Sequence, residues 1–105
     1  MSFSAVELII KKRERGELTT DEIRWLVAAY TAGSVADEQM SAMAMAILLN
    51  GMNRREIRDL TLAMIDSGER LEFHGLNAPT ADKHSTGGVG DKITLPLAPL
   101  VASYG

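Results

Sequence analysis

A chain of 105 residues that is 46% hydrophobic and 24% charged has room for one small globular core and lies far from the compositions that stay disordered. Its net charge of −3 excludes a broad basic surface for nucleic acid, and the absence of cysteine excludes disulfides, thiolate nucleophiles and cysteine-held zinc. The N-terminal residues carry neither a basic stretch nor a long apolar one, and residues 40–49, the longest nearly apolar run, fall far short of the roughly 20 residues a membrane span needs. A cytoplasmic protein with no membrane or nucleic-acid partner is therefore expected.

The first half of the chain repeats one helix-start signal, a small polar residue followed three positions later by glutamate. In such a capping box each residue satisfies the other's orphan backbone N–H. Ser4 with Glu7, Thr19 with Glu22 and Asn53 with Glu56 fit it, and Phe3 and Leu8 stand at staple positions around the first. Apolar residues then follow at helical spacing, as in Val6, Ile9 and Ile10, or Ile23, Leu26, Val27 and Tyr30, or Met40, Met43, Ala44, Ile47 and Leu48, and a further set is Ile57, Leu60, Thr61, Met64 and Ile65. Gly16, Gly33, Gly51 and Gly68 punctuate these segments where helix ends favour left-handed backbone. Four short helices are predicted.

The methionines Met40, Met43, Met45, Met52 and Met64 are expected to fill helix contacts, whereas an exposed methionine-rich face would mark a dimer interface. Trp25 and Tyr30 are expected as core or interface aromatics. The clusters Lys11-Lys12-Arg13 and Arg54-Arg55 are expected as solvated helix faces, given Glu14, Glu17 and Glu56 nearby.

Beyond residue 68 the pattern changes. Residues 69–79 have no sustained period and contain both Gly and Pro, so they are predicted as a connector in which His74 has no assigned role. Residues 80–83 are a short strand candidate, a glycine-rich turn follows, and residues 94–104 form a mostly apolar helix candidate. Pro96 suits a first helical turn, while Pro99 is placed to delay or kink the helix. The predicted fold class is mainly α: a helical bundle domain over residues 1–68, a connector over 69–79, and the first strand-turn-helix of an α/β phosphate-binding domain over 80–105. One strand and one helix cannot close a sheet, so more chain or a partner chain is expected to complete it.

The turn itself, Lys83-His84-Ser85-Thr86-Gly87-Gly88-Val89-Gly90-Asp91-Lys92, places a cation, an imidazole, two hydroxyls and three glycines together. Glycines let backbone N–H groups converge on an anion, and a following helix adds its positive end. The spacing fits neither common nucleotide motif. A P-loop would need Gly-Lys-Ser/Thr where Gly90-Asp91-Lys92-Ile93 stands, and a dinucleotide fingerprint would need glycine at Ile93. The distinguishing element is the Lys83-His84-Ser85 preface.

From Asp82 to Asp91 the sequence resembles the phosphate-binding segment of thymidine and pyrimidine-nucleoside phosphorylases. The resemblance extends upstream through Gly33, Asp37, Glu38, Gln39, Gly51, Met52, Ala63 and Met64 to the helical domain of that family. It implies reversible phosphorolysis, in which inorganic phosphate attacks C1′ of a pyrimidine nucleoside and releases the base and a pentose 1-phosphate, with the chain as the N-terminal part of a longer enzyme. Lys83, Ser85 and Thr94 match phosphate-binding positions, and backbone at Gly88, Val89 and Gly90 would complete the cradle. His84 matches the catalytic histidine beside the base, an imidazole being the side chain suited to proton exchange near neutrality. Lys92 departs from the Val or Thr of many members and is expected to face solvent or add to the anion field.

The resemblance further implies no metal or cofactor, phosphate being a co-substrate, and a homodimer formed through the N-terminal helices. The family's base-recognition residues lie later in its chains, so this segment alone is expected to be inactive. A more distant resemblance to anthranilate phosphoribosyltransferases implies phosphoribosyl transfer as an alternative. A non-catalytic helical dimerisation module is the alternative from another class.

Overall fold

A computed structural model describes residues 3–85 and 92–105. The chain divides into two units, Met1–Arg70 and Leu71–Gly105. Five helices occur among the described residues: α1 (Ala5–Arg13), α2 (Thr20–Thr31), α3 (Asp37–Asn50) and α4 (Arg54–Ser67) in the first unit and α5 (Thr94–Ala102) in the second. None of them is long and apolar enough to cross a membrane.

The four predicted helices of the first unit are all present, and two begin with the predicted device. At α2 the Glu22 N–H donates to Thr19 Oγ1 at 3.2 Å and the Thr19 N–H donates back to Glu22 Oε2 at 2.6 Å. At α4 the corresponding distances between Asn53 and Glu56 are both 2.9 Å. The box predicted at Ser4 and Glu7 is not formed: Ser4 is the N-cap of α1, but its side chain makes no capping bond. Phe3 instead packs its ring on Trp25, with centroids 5.9 Å apart. Helix α3 starts without a polar cap, since Ala36 has no acceptor to offer, and only the return bond exists, from the Ala36 N–H to Gln39 Oε1 at 3.1 Å.

Helix ends follow the predicted glycines in part. Gly33 takes the left-handed backbone after α2 (φ 76), and its N–H and that of Ser34 donate to the carbonyls of Tyr30 and Ala29 at 2.9 and 2.8 Å, a Schellman closure. After α1 the left-handed residue is Arg15 (φ 64), one position before the predicted Gly16. Gly16 is needed for proximity: its N–H donates to the Lys11 carbonyl at 2.8 Å, and a Cβ there would lie 2.9 Å from that oxygen.

Helix α1 packs chiefly on α3 and α2 on α4. The core between them holds Leu8, Leu18, Ile23, Leu26, Val35 and Met43, each at most 4% exposed. Met43 is fully buried and Met40 and Met52 pack around it, as predicted for gap-filling methionines. Met45 and Met64 are 54% and 60% exposed, so the methionines divide between core and surface.

The solvated face predicted for Lys12 is also overturned. Lys12, expected on a solvated face, is 3% exposed, and its Nζ lies 2.8 Å from Glu56 Oε1. Glu56 serves two purposes: Oε2 closes the α4 capping box while Oε1 accepts from Lys12 and from the Leu18 N–H at 2.9 Å. Burial alone would raise the Glu56 pKa, but the Lys12 ammonium and the Asn53 and Leu18 N–H groups outweigh it and hold the carboxyl below its ordinary value. Asp59, one turn further along α4, accepts from the Thr20 hydroxyl at 2.7 Å, from Arg58 Nη2 at 2.9 Å and from Arg55 Nη1 at 3.1 Å. The Thr20 hydroxyl, then Arg58 and Arg55, hold its carboxyl low as well. Arg55 also donates to the Leu18 carbonyl, and the Asn50 amide caps the Lys12 and Arg13 carbonyls at 3.1 Å each. No buried side-chain N or O among the described residues is left without a partner. These bonds tie all four helices at their polar ends while the apolar faces fill the middle.

In the second unit, residues 80–83 form no strand, and no strand occurs among the described residues. A strand exists only where its N–H and C=O groups ladder onto a neighbour, and the described residues supply none. The predicted helix does form as α5, with Pro96 in its first turn and Pro99 inside it. It has no buried residue; Leu95 is 81% and Leu100 56% exposed.

Candidate functional site

Among the described residues each unit carries a hollow at its surface. The first, of 460 Å³, lies between α2 and α4 over Ala28, Ala32 and Ala63. Arg24 stands at its rim, and three other polar side chains are engaged locally: the Thr31 hydroxyl donates to the Val27 carbonyl and the Ser67 hydroxyl to the Met64 carbonyl, both at 2.8 Å, and Asp66 pairs with Arg70 at 2.7 Å.

The second hollow, of 570 Å³, belongs wholly to the second unit. Asp82, Lys83 and Thr94 stand on its polar side and Leu97 and Val101 on its apolar side. Lys83 Nζ donates to Thr94 Oγ1 at 2.6 Å, so two residues eleven positions apart meet at one point. Thr94 Oγ1 accepts there and keeps its own O–H as a donor. Thr94 is the first residue of α5, whose positive N-terminal end adds to the ammonium beside it. The Lys83 N–H donates to Asp82 Oδ1 at 2.8 Å.

His84 and Ser85 are exposed and adjoin this cluster in the chain. His84 Nδ1 lies 3.0 Å from the Ser85 carbonyl oxygen. A carbonyl can only accept, so this contact assigns the hydrogen to Nδ1 and leaves Nε2 as the ring's outward atom. Gly88, Val89 and Gly90, predicted to complete the cradle, lie outside the described residues, as do Thr86, Gly87 and Asp91. His74 is exposed, with Nε2 2.8 Å from Glu72. Of the predicted site residues, Lys83 and Thr94 are in direct contact. Sequence reasoning gave Asp82 no role, although its place before Lys83 and its short side chain are the ingredients of a local side-chain-to-backbone bond.

Comparison with known proteins places this arrangement in context. The chain is 58% identical over 104 residues to a thymidine phosphorylase of Mycobacterium tuberculosis, covering 99% of this chain and 24% of that protein. It is 54% identical over 98 residues to a pyrimidine-nucleoside phosphorylase of Bacillus subtilis, covering 93% of this chain and 23% of the relative. It is 50% identical over all 105 residues to a thymidine phosphorylase of Rhizobium meliloti, 24% of that protein. The chain thus spans about a quarter of the length of these curated relatives. Residues 6–68 match the family described as glycosyl transferase family, helical bundle domain. That match takes in all four helices of the first unit and more than half of the chain, which therefore belongs to this glycosyl transferase family.

Proposed function

We propose that the protein carrying this chain catalyses the reversible phosphorolysis of thymidine or other pyrimidine nucleosides. One observation carries the reading: in a segment closely similar to proteins named as phosphorylases, the Lys83 ammonium and the Thr94 hydroxyl meet at 2.6 Å at the start of a helix. The pair suits an oxyanion. The ammonium offsets phosphate charge and orients the nucleophile, the hydroxyl donates to one of its oxygens, and the helix end adds partial positive charge. Ser85 and backbone N–H groups at Gly88, Val89 and Gly90 complete the cradle.

A phosphate oxygen then forms a bond to C1′ as the C1′–N bond breaks, and the bonding pair leaves on the base. His84 answers that charge by donating a proton from Nε2 to the departing pyrimidine. Since Nδ1 is committed to the Ser85 carbonyl, Nε2 donates only from the imidazolium. No cofactor is required, inorganic phosphate being the second substrate.

In the full-length enzyme, Lys83→Ala and His84→Ala are each expected to lower kcat/KM for thymidine at least tenfold, about 1.4 kcal/mol in the barrier. Release of free thymine in phosphate buffer measures it. Unchanged kinetics in either variant would remove that residue from its role.

The same reading includes a homodimer formed through the helical domain. Leu48 and Leu49 on α3 are 76% and 73% exposed, and Met45, one turn before them on the same helix, adds to a face too apolar for a solvated one. Sedimentation of the full-length protein is expected to give a dimer that Leu48→Asp with Leu49→Asp dissociates. A monomer in the wild type at micromolar concentration would rule the dimer out.

A further inference from the structure

We propose that Asp82 is a positioning residue of the phosphate site, acting through Lys83; the proposal rests on the phosphorolysis reading. Its carboxylate lies in the hollow that holds Lys83 and Thr94, where a negative charge by itself works against an anionic ligand. The geometry supplies another reason for it to be there. Asp82 Oδ1 accepts the Lys83 N–H at 2.8 Å, and from the main chain so held the Lys83 ammonium extends to Thr94 Oγ1 at 2.6 Å.

The bond does two things. It fixes the backbone from which the long lysine stem departs, which reduces the number of directions the ammonium can sample. It also engages the Lys83 N–H, so the ligand is met at this residue by the side chain rather than by the amide. What matters in Asp82 is then an acceptor at the Oδ1 position. A neutral amide oxygen supplies that equally and removes the opposing charge.

The test compares Asp82→Ala with Asp82→Asn in the full-length protein, using inorganic phosphate as the probe in calorimetry and steady-state kinetics for the split between KM and kcat. Because Asp82 is exposed, both variants are expected to keep the wild-type helical signal and melting temperature. Loss of one hydrogen bond from a positioning residue predicts a phosphate affinity about five- to tenfold weaker in Asp82→Ala, with the KM for phosphate raised accordingly and the nucleoside KM unchanged. Asp82→Asn is expected to bind phosphate at least as tightly as the wild type.

Unchanged phosphate affinity in Asp82→Ala would overturn the proposal. So would an asparagine variant as weak as the alanine variant, since charge rather than acceptor geometry would then be at work. A wild-type protein that binds phosphate yet releases no base from any pyrimidine nucleoside would overturn phosphorolysis and leave the Asp82 comparison readable. A wild type that binds no phosphate would overturn both.

Discussion

The two units of this chain differ in how their stability and their chemistry are arranged. Residues up to Arg70 enclose Met43, Ile23 and Leu18 at 0–1% exposure and close their helix ends with a buried set of polar side chains. From Leu71 onward no described residue is buried, and α5 presents Leu95, Leu100 and Val101 to the surface. Yet Lys83, His84 and Thr94 all lie in that second unit. The proposed chemistry thus sits on a segment in which no described residue is buried, while the helical unit encloses a core. A short helix is marginal on its own and takes most of its stability from packing, and a site held by packing likewise needs neighbours from elsewhere.

The sharpest way to break this contrast is to attack the buried pair. Removing one partner leaves the other as an uncompensated buried charge, so Glu56→Ala should destabilise the first unit by about 3–5 kcal/mol, while the joint change Lys12→Met with Glu56→Leu should recover most of that loss. Urea unfolding followed by helical circular dichroism measures both. The folded Glu56 carboxyl lies below its ordinary value of 4.5, so its contribution is present above that pH and is lost as pH falls through the depressed folded value. The apolar double variant should lack that part of the acid sensitivity. A double variant no more stable than Glu56→Ala would mean that the backbone bonds to Leu18 and Asn53, rather than the ion pair, carry the effect.

A paired truncation sharpens the contrast at lower cost. Met43→Ala is expected to cost about 2–5 kcal/mol, as for a large buried side chain, while Leu100→Ala on α5 should stay within about 0.5 kcal/mol. Equal losses in the same urea assay would show that α5 shares in the cooperative core.

Much of the helical unit was legible in the sequence. The boxes at Thr19 and Asn53 and the apolar spacing specify α2 and α4 closely, because those signals are local. The failures are instructive for the same reason. Ser4 has the right partner at Glu7 but makes no capping bond. Lys12 belongs to a basic run that reads as solvated, and only the fold brings it against Glu56, 44 positions away. Glu56 was recognised as a cap, but its second task depends on Lys12 and Leu18 in space. In the second unit the Lys83-His84-Ser85 preface and Thr94 were legible as a candidate site through the residue types and the family resemblance. Their meeting at one point was not, since a contact across eleven residues has no local signature. The strand expected at residues 80–83 failed because strand formation is a property of two segments.

The separation between Lys12 and Glu56 also bears on the protein's synthesis. Chains emerge N-terminus first at about 5–20 residues per second, so the partner of Lys12 is added roughly 2–9 s after it. Through all of that interval α1 lacks the acceptor for its lysine, and through most of it the Asn50 amide that caps its last carbonyls. The α1 segment of the nascent chain must therefore remain hydrated or shielded by other means, and the bundle can close only once the first turn of α4 has been made.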